Sequence, residues 1–164
     1  NLVEPGLIRV DADEATYNLH IMIRYEIEKL LISDELAVDD LPDAWDEMYQ
    51  EFLGIKSPNE SLGVLQDIHW SMGAIGYFPT YTLGNLYAAQ LLEAARNDLP
   101  DHDEDIRKGE FGNLLHWMRG NVHSRGSVLE PADLIEEATG KAPSPDAFVR
   151  YLSSKVERLY AVIA

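Results

Sequence analysis

From Asp11 to Ser33 the chain contains neither Gly nor Pro, and Asp11 followed three residues later by Glu14 has the spacing of a helix-capping box. A segment of that length and composition is expected to fold as one long helix. Its apolar residues cover too much of the circumference for a surface helix. Leu19, Met22, Ile23, Ile27, Leu30 and Leu31 form one broad face, and Ile21, Tyr25 and Ile32 lie partly outside it. Such a helix is covered by its neighbours, so the fold has to be assembled around it. One stripe is polar: His20, Arg24 and Glu28 follow at i, i+4 and i+8, with Tyr17 a turn earlier. The stripe reads either as a solvated edge or as the wall of a cleft.

The remaining punctuation also points to helices. Pro42 at a first helical position opens a helix over 43–52 that stops at Gly54, with Trp45, Met48, Tyr49, Phe52 and Leu53 as its apolar seam. Residues 55–79 hold Pro58, Gly63, Gly73, Gly76 and Pro79 and are expected to form an irregular connector with short helices at most. Loops of that length in compact domains are usually functional or mobile. Further helices are expected over 80–99, 101–108, 110–122, 131–139 and 146–163. The last turns Phe148, Tyr151, Leu152, Val156, Leu159 and Tyr160 inward. Strand signals are nearly absent and no internal linker is visible. The expectation is therefore one all-α domain over residues 1–164, a bundle-like array of helices.

Composition narrows the function classes. With 46% apolar and 26% charged residues, a chain of 164 residues buries enough surface to fold. A net charge of −16 repels phosphate backbones and anionic lipid heads, which argues against nucleic-acid and membrane partners. No apolar run reaches the roughly 18 residues that a membrane span needs. The absence of cysteine removes disulfides, thiol catalysis and thiolate metal sites. The opening residues Asn-Leu-Val-Glu-Pro-Gly lack a secretory signal and an initiator Met, so a cytoplasmic location and excision from a longer chain are both expected.

Three segments gather chemistry-bearing side chains. A helical zinc peptidase needs two His at i and i+4 with a Glu beside the first, and His20, His69, His102, His116 and His123 supply no such pair. His116 and His123 share one predicted helix face but sit roughly 10 Å apart along it, too far for one metal, so surface or packing roles are expected. In Gly63-Val-Leu-Gln-Asp-Ile-His-Trp70, Gln66 or Asp67 could fix the tautomer of His69 and make it a proton or hydrogen-bond donor; alternatively His69 and Trp70 plug the loop onto the core. In Gly76-Tyr-Phe-Pro-Thr-Tyr-Thr-Leu-Gly84, Tyr77 and Tyr81 stand at a helix N-terminus, where a phenol can donate to an oxyanion or simply pack. Arg9, just before the first helix, suits bidentate capture of a carboxylate, either a ligand's or that of Asp13.

Together these segments resemble a known family. Ile8-Arg-Val-Asp-Ala-Asp13 resembles the Ile/Tyr-Arg-x-x-Ala/Ser-Asp motif, and Gly63 to Trp70 the Gly-x-x-Gln-Asp-x-His-Trp motif, of the thermostable carboxypeptidase (carboxypeptidase Taq) family of zinc metallopeptidases. The resemblance runs nearly end to end but covers only the C-terminal portion of the family's sequence. The family's His-Glu-x-x-His and His-Glu-Ser/Gly-Gln motifs, which bear its metal ligands and general base, have no counterpart here. What the resemblance implies is the substrate side of a carboxypeptidase that releases C-terminal amino acids from peptides: Arg9 on the substrate carboxylate, Gln66, Asp67 and His69 lining the site, and Tyr81, in preference to Tyr77, on the oxyanion. Zinc or another divalent metal would be bound by the missing N-terminal half, so no residue here is expected to be a metal ligand and the chain alone is expected to be inactive. The resemblance further implies a homodimer for the full-length protein, and makes His20, Arg24 and Glu28 either cleft-wall residues or a structural network. Such an excised piece should expose apolar surface on its first helix. The alternative is a stand-alone acidic all-α binding or regulatory module on the same scaffold.

Overall fold

The computed structural model describes residues 2–160. Those residues form seven α-helices joined by turns and short 3-10 helices, with no strand among them. They divide into two compact units, residues 1–83 and 84–164, with the boundary inside the third helix.

The first unit is built on α1 (Tyr17–Ile32) and α2 (Leu41–Leu53). Helix α1 starts later than the capping-box spacing suggests, because Asp13 rather than Asp11 caps the turn. Asp13 Oδ1 accepts the amides of Ala15 and Thr16 at 2.8 and 3.0 Å, and Oδ2 accepts the Thr16 hydroxyl at 2.9 Å. Asp11 belongs instead to a 3-10 turn, Arg9–Asp11. Helix α2 has Pro42 in its first turn and ends at Gly54, whose φ of 72° is left-handed and suits a residue without Cβ. Ile23 and Ile27 of α1 pack on Trp45, Tyr49 and Leu53 of α2 and on Val64. Trp45 stacks on Tyr49 with ring centroids 4.8 Å apart and meets the edge of Trp70 at 6.4 Å. Burying such rings is the main apolar contribution to this unit.

The polar stripe of α1 is not a solvated edge. His20 and Arg24 are fully buried and Glu28 nearly so, while Met22, Tyr25 and Ile32 face outward. The connector contains two 3-10 turns, Val64–Gln66 and Trp70–Met72, and is tied to α1 by Glu28. One Glu28 oxygen accepts Trp70 Nε1–H at 2.8 Å and the other the Gly76 amide at 2.5 Å. With its polar groups held inward, the connector turns Leu65, Ile68, Met72 and Ile75 out. Exposed apolar surface thus lies on α1, as expected, and also on the connector.

In the second unit, α3 (Pro79–Asp98), α4 (His102–Lys108), α5 (Gly112–Asn121), α6 (Pro131–Thr139) and α7 (Asp146–Tyr160) follow the punctuation closely. Helix α3 begins in the first unit and continues into this one. Residue Gln90 straps the α6–α7 loop: its Nε2 donates to the carbonyls of Lys141 and Ala142 at 3.4 and 3.1 Å, and its Oε1 accepts the Ser144 amide at 2.9 Å. His116 and His123 do not share a helix, since α5 ends at Asn121 and His123 opens a 3-10 turn; both are exposed. The inward face of α7 holds through Val156, whereas Leu159 and Tyr160 are exposed, and residues beyond 160 lie outside the described range.

Candidate functional site

Every side chain singled out for chemistry lies in the first unit, where three stretches of chain converge on Asp67. Arg9 donates from Nη2 to Asp67 Oδ1 at 2.6 Å and from Nε to both carboxylate oxygens at 3.2 and 3.3 Å, while its Nη1 reaches the Tyr17 hydroxyl at 3.2 Å. The partner of Arg9 is therefore Asp67, 58 residues away, and not the nearby Asp13. From the other side Arg24 Nε donates to Asp67 Oδ2 at 2.6 Å. One carboxylate thus bridges two guanidiniums, with Arg9 only 7% and Arg24 0% exposed.

The charges sustain one another. Burial pushes the Asp67 carboxyl upward, but the hydrogen bonds from Arg9 and the charge of Arg24 outweigh it and leave the group below the usual carboxylate range. Burial likewise works against the Arg9 cation, and Asp67 with Tyr17 more than offsets it. For His20 the charges of Asp67 and Asp13 oppose burial but are outweighed. Desolvation, then the charges of Arg24 and Arg9, hold it down to about 4, so the ring is neutral near pH 7. Its Nδ1 lies 3.0 Å from the Tyr49 hydroxyl, which also accepts Arg24 Nη1 at 3.2 Å.

Gln66 works on the backbone. Its Oε1 accepts the Arg9 amide at 2.9 Å and its Nε2 donates to the carbonyls of Leu7, Leu62 and Gly63, each at 3.1 Å, which clamps the Arg9 turn onto the connector. Neither Gln66 nor Asp67 fixes the His69 ring by a direct hydrogen bond, since Asp67 Oδ1 stands 3.6 Å from Nδ1. Tyr81 does this instead, with its hydroxyl 3.1 Å from His69 Nε2, while Phe78 supports the ring at a centroid distance of 4.4 Å. The Tyr81 ring also lies beneath the Arg9 guanidinium, 5.0 Å from centroid to Cζ. Tyr77 packs edge-on to Tyr81 at 5.4 Å and is 48% exposed.

The structure therefore brings Arg9, Gln66, Asp67, His69, Tyr77 and Tyr81 into one cluster of basic, imidazole and phenol groups. Arg24, Tyr17 and Glu28 belong with them, although spacing alone had left their stripe unassigned; the signal was an i, i+4, i+8 polar line on a helix otherwise apolar. Apart from the carboxylates of Asp67 and Glu28, which accept bonds within the fold, the cluster is rich in donors suited to anionic or carbonyl oxygens. Among the described residues no group of three or more His, Asp or Glu is arranged to hold a metal ion, so these side chains do not fit a metal centre.

A family model for carboxypeptidase Taq (M32) metallopeptidases matches residues 1–156. The chain is 49% identical over 160 residues to thermostable carboxypeptidase 1 of Thermus thermophilus, covering 98% of this chain and 31% of that protein. It is 46% identical to carboxypeptidase 1 of Bacillus subtilis, covering 98% of this chain and 32% of the relative. Among solved structures, the M32 carboxypeptidase of Deinococcus radiodurans R1 superposes with a TM-score of 0.94 at 43% identity, over 98% of this chain and 32% of that one. Metallocarboxypeptidase 1 of Trypanosoma cruzi gives a TM-score of 0.90 at 41% identity, over 94% and 31%. The chain belongs to the carboxypeptidase Taq (M32) metallopeptidase family, and it spans about a third of the length of the curated relatives it matches.

Proposed function

We propose that this chain is the substrate-binding side of a metallocarboxypeptidase that releases C-terminal amino acids from peptides. The observation that carries the reading is the clamped guanidinium of Arg9, packed over Tyr81 and next to a hydrogen-bonded His69–Tyr81 pair. Arg9 takes the terminal carboxylate of the peptide. Gln66 and Asp67 act through Arg9, the one fixing its backbone and the other its side chain. Tyr81, with Tyr77 beside it, donates to the oxygen of the scissile carbonyl as negative charge develops there, and His69 orients the Tyr81 phenol. A divalent metal, zinc being the natural candidate, would supply the activated water from residues outside this chain. The exposed apolar residues of the connector and α1 are where that metal-bearing portion docks. No helix among the described residues is long and apolar enough to cross a membrane, and a cytoplasmic, homodimeric parent enzyme is part of the proposal.

The test uses a protein in which this segment follows the metal-bearing portion. Arg9→Ala should raise KM for peptides with a free C-terminus by about 10- to 100-fold, the worth of a charge-assisted hydrogen-bonded pair. Tyr81→Phe should instead lower kcat. An unchanged KM in the Arg9 variant removes it from the site. The 164-residue chain alone should release no amino acid and show no submicromolar zinc site by calorimetry.

A further inference from the structure

We infer that Arg24 is a positioning residue that sets the charge of the carboxylate anchor, an inference that rests on the reading of Arg9 as that anchor. Arg9 and Asp67 by themselves form a neutral pair. An incoming carboxylate would meet a guanidinium whose charge is already answered by an anion 2.6 Å away. Arg24 places a second cation 2.6 Å from the other oxygen of the same carboxylate, so the three groups together carry +1.

A purely structural pair needs no such excess. Asp67 would be satisfied by one arginine, and burying a second without a second anion is unfavourable to folding. The excess is offset only when another anion arrives at the outer guanidinium. No further group pairs directly with either guanidinium to offset it: His20 is neutral near pH 7, Glu28 gives its two oxygens to Trp70 and Gly76, and Asp13 is bonded to its own turn and to the Glu4 amide. Arg24 itself does not reach the ligand. It is 0% exposed, its cation lies 4.6 Å from the Trp45 ring centroid and 5.6 Å from that of Phe78, and Nη1 donates to the His20 carbonyl at 2.8 Å. An arginine suits this place because it keeps its proton when buried, whereas a lysine or histidine readily loses it.

The charge count gives a test that packing alone does not mimic. Arg24→Gln lowers the three-group set of Arg9, Asp67 and Arg24 from +1 to 0, and adding Asp67→Asn returns it to +1. The chain and its variants are titrated by heteronuclear NMR with N-acetyl-alanyl-alanine and with the C-terminal amide of the same dipeptide. Wild type should prefer the free acid. Arg24→Gln should lose about tenfold in affinity for the acid with little change for the amide, and the double variant should recover most of that loss. The inference is overturned if folded Arg24→Gln binds the acid as wild type does, or if the folded double variant is no better than the single one. Should Arg24→Gln not fold, the double variant carries the test against wild type: it should keep the preference for the acid, and a folded double variant without that preference overturns the inference. Loss of all preference in Arg9→Gln supports the underlying anchor reading. A wild type or Arg9→Gln protein that shows the same acid-to-amide ratio as the other sinks that reading independently of Arg24.

Discussion

The two units treat charge in opposite ways. In residues 1–83 the buried polar side chains include Arg9, Asn18, His20, Arg24 and Glu28, with Asp67 wedged between two of them. Among the described residues of the second unit the buried polar side chains are Gln90 and His102, and the ion pairs Arg96–Asp103, Arg125–Glu137 and Arg150–Glu93 lie at the surface. An exposed pair is screened by water and contributes little, whereas a buried one is held at the expense of desolvation. The first unit thus sacrifices stability to fix charged groups in place, and the second is held by helix punctuation, apolar packing and the neutral Gln90 strap. Within one chain, that contrast sets the unit of the proposed site apart more clearly than any single residue does.

The sharpest way to break the comparison is to remove one anion from each unit. Asp67→Ala leaves two buried guanidiniums without their carboxylate and should cost about 3–5 kcal/mol in denaturant unfolding. Glu93→Ala, which frees the exposed Arg150, should cost less than about 1 kcal/mol. Equal losses would erase the distinction between the units.

A second expectation concerns pH. His20 is held down to about 4 by burial and then by the arginine charges, against an ordinary value of 6.5. Between those values the unfolded chain binds a proton that the folded chain refuses, so stability is full above pH 6.5 and falls as the pH drops toward 4. For this group the loss is up to about 3 kcal/mol. His20→Gln should flatten the difference in unfolding free energy between pH 7 and pH 4.5, and a variant that loses as much as wild type would assign the effect elsewhere. The carboxyl of Asp67, shifted downward, adds its own loss only at lower pH still, as the pH falls through its folded value.

A more local effect belongs to the second unit. Gln90→Ala removes the strap on residues 141–144 and should cost about 1–2 kcal/mol. Faster hydrogen exchange at the Ser144 amide, with the first unit unchanged, is the measurement that confirms its local character.

Much of the helical plan was legible because Pro and Gly act locally. Pro131 and Gly140 bracket α6, and Gly54 stops α2, by backbone constraints that need no tertiary information. The start of α1 is not fixed by spacing, because Asp11 and Asp13 both stand at usable distances and only the folded chain selects Asp13, which holds the turn just ahead of the helix. The stripe of His20, Arg24 and Glu28 was visible as a pattern, but periodicity does not say which side of a helix its neighbours cover. The cluster was legible by resemblance to family motifs. The pairing of Arg9 with Asp67, of Arg24 with Asp67 and of His69 with Tyr81 was not, because those contacts are set by how separate segments pack.

The site also has an order of assembly written into its sequence distances. His69 and Tyr81 are 12 residues apart, whereas Arg9 and Asp67 are 58 apart. Closing the longer loop costs roughly 1.4 kcal/mol more in chain entropy on the logarithmic scaling of loop length. The imidazole–phenol pair can therefore form while the connector folds onto the start of α3, before the N-terminal arm has arrived. On loop entropy alone Arg9 is the last piece delivered, and a chain stalled short of that step would hold its hydrogen-bonded phenol in place with no guanidinium above it.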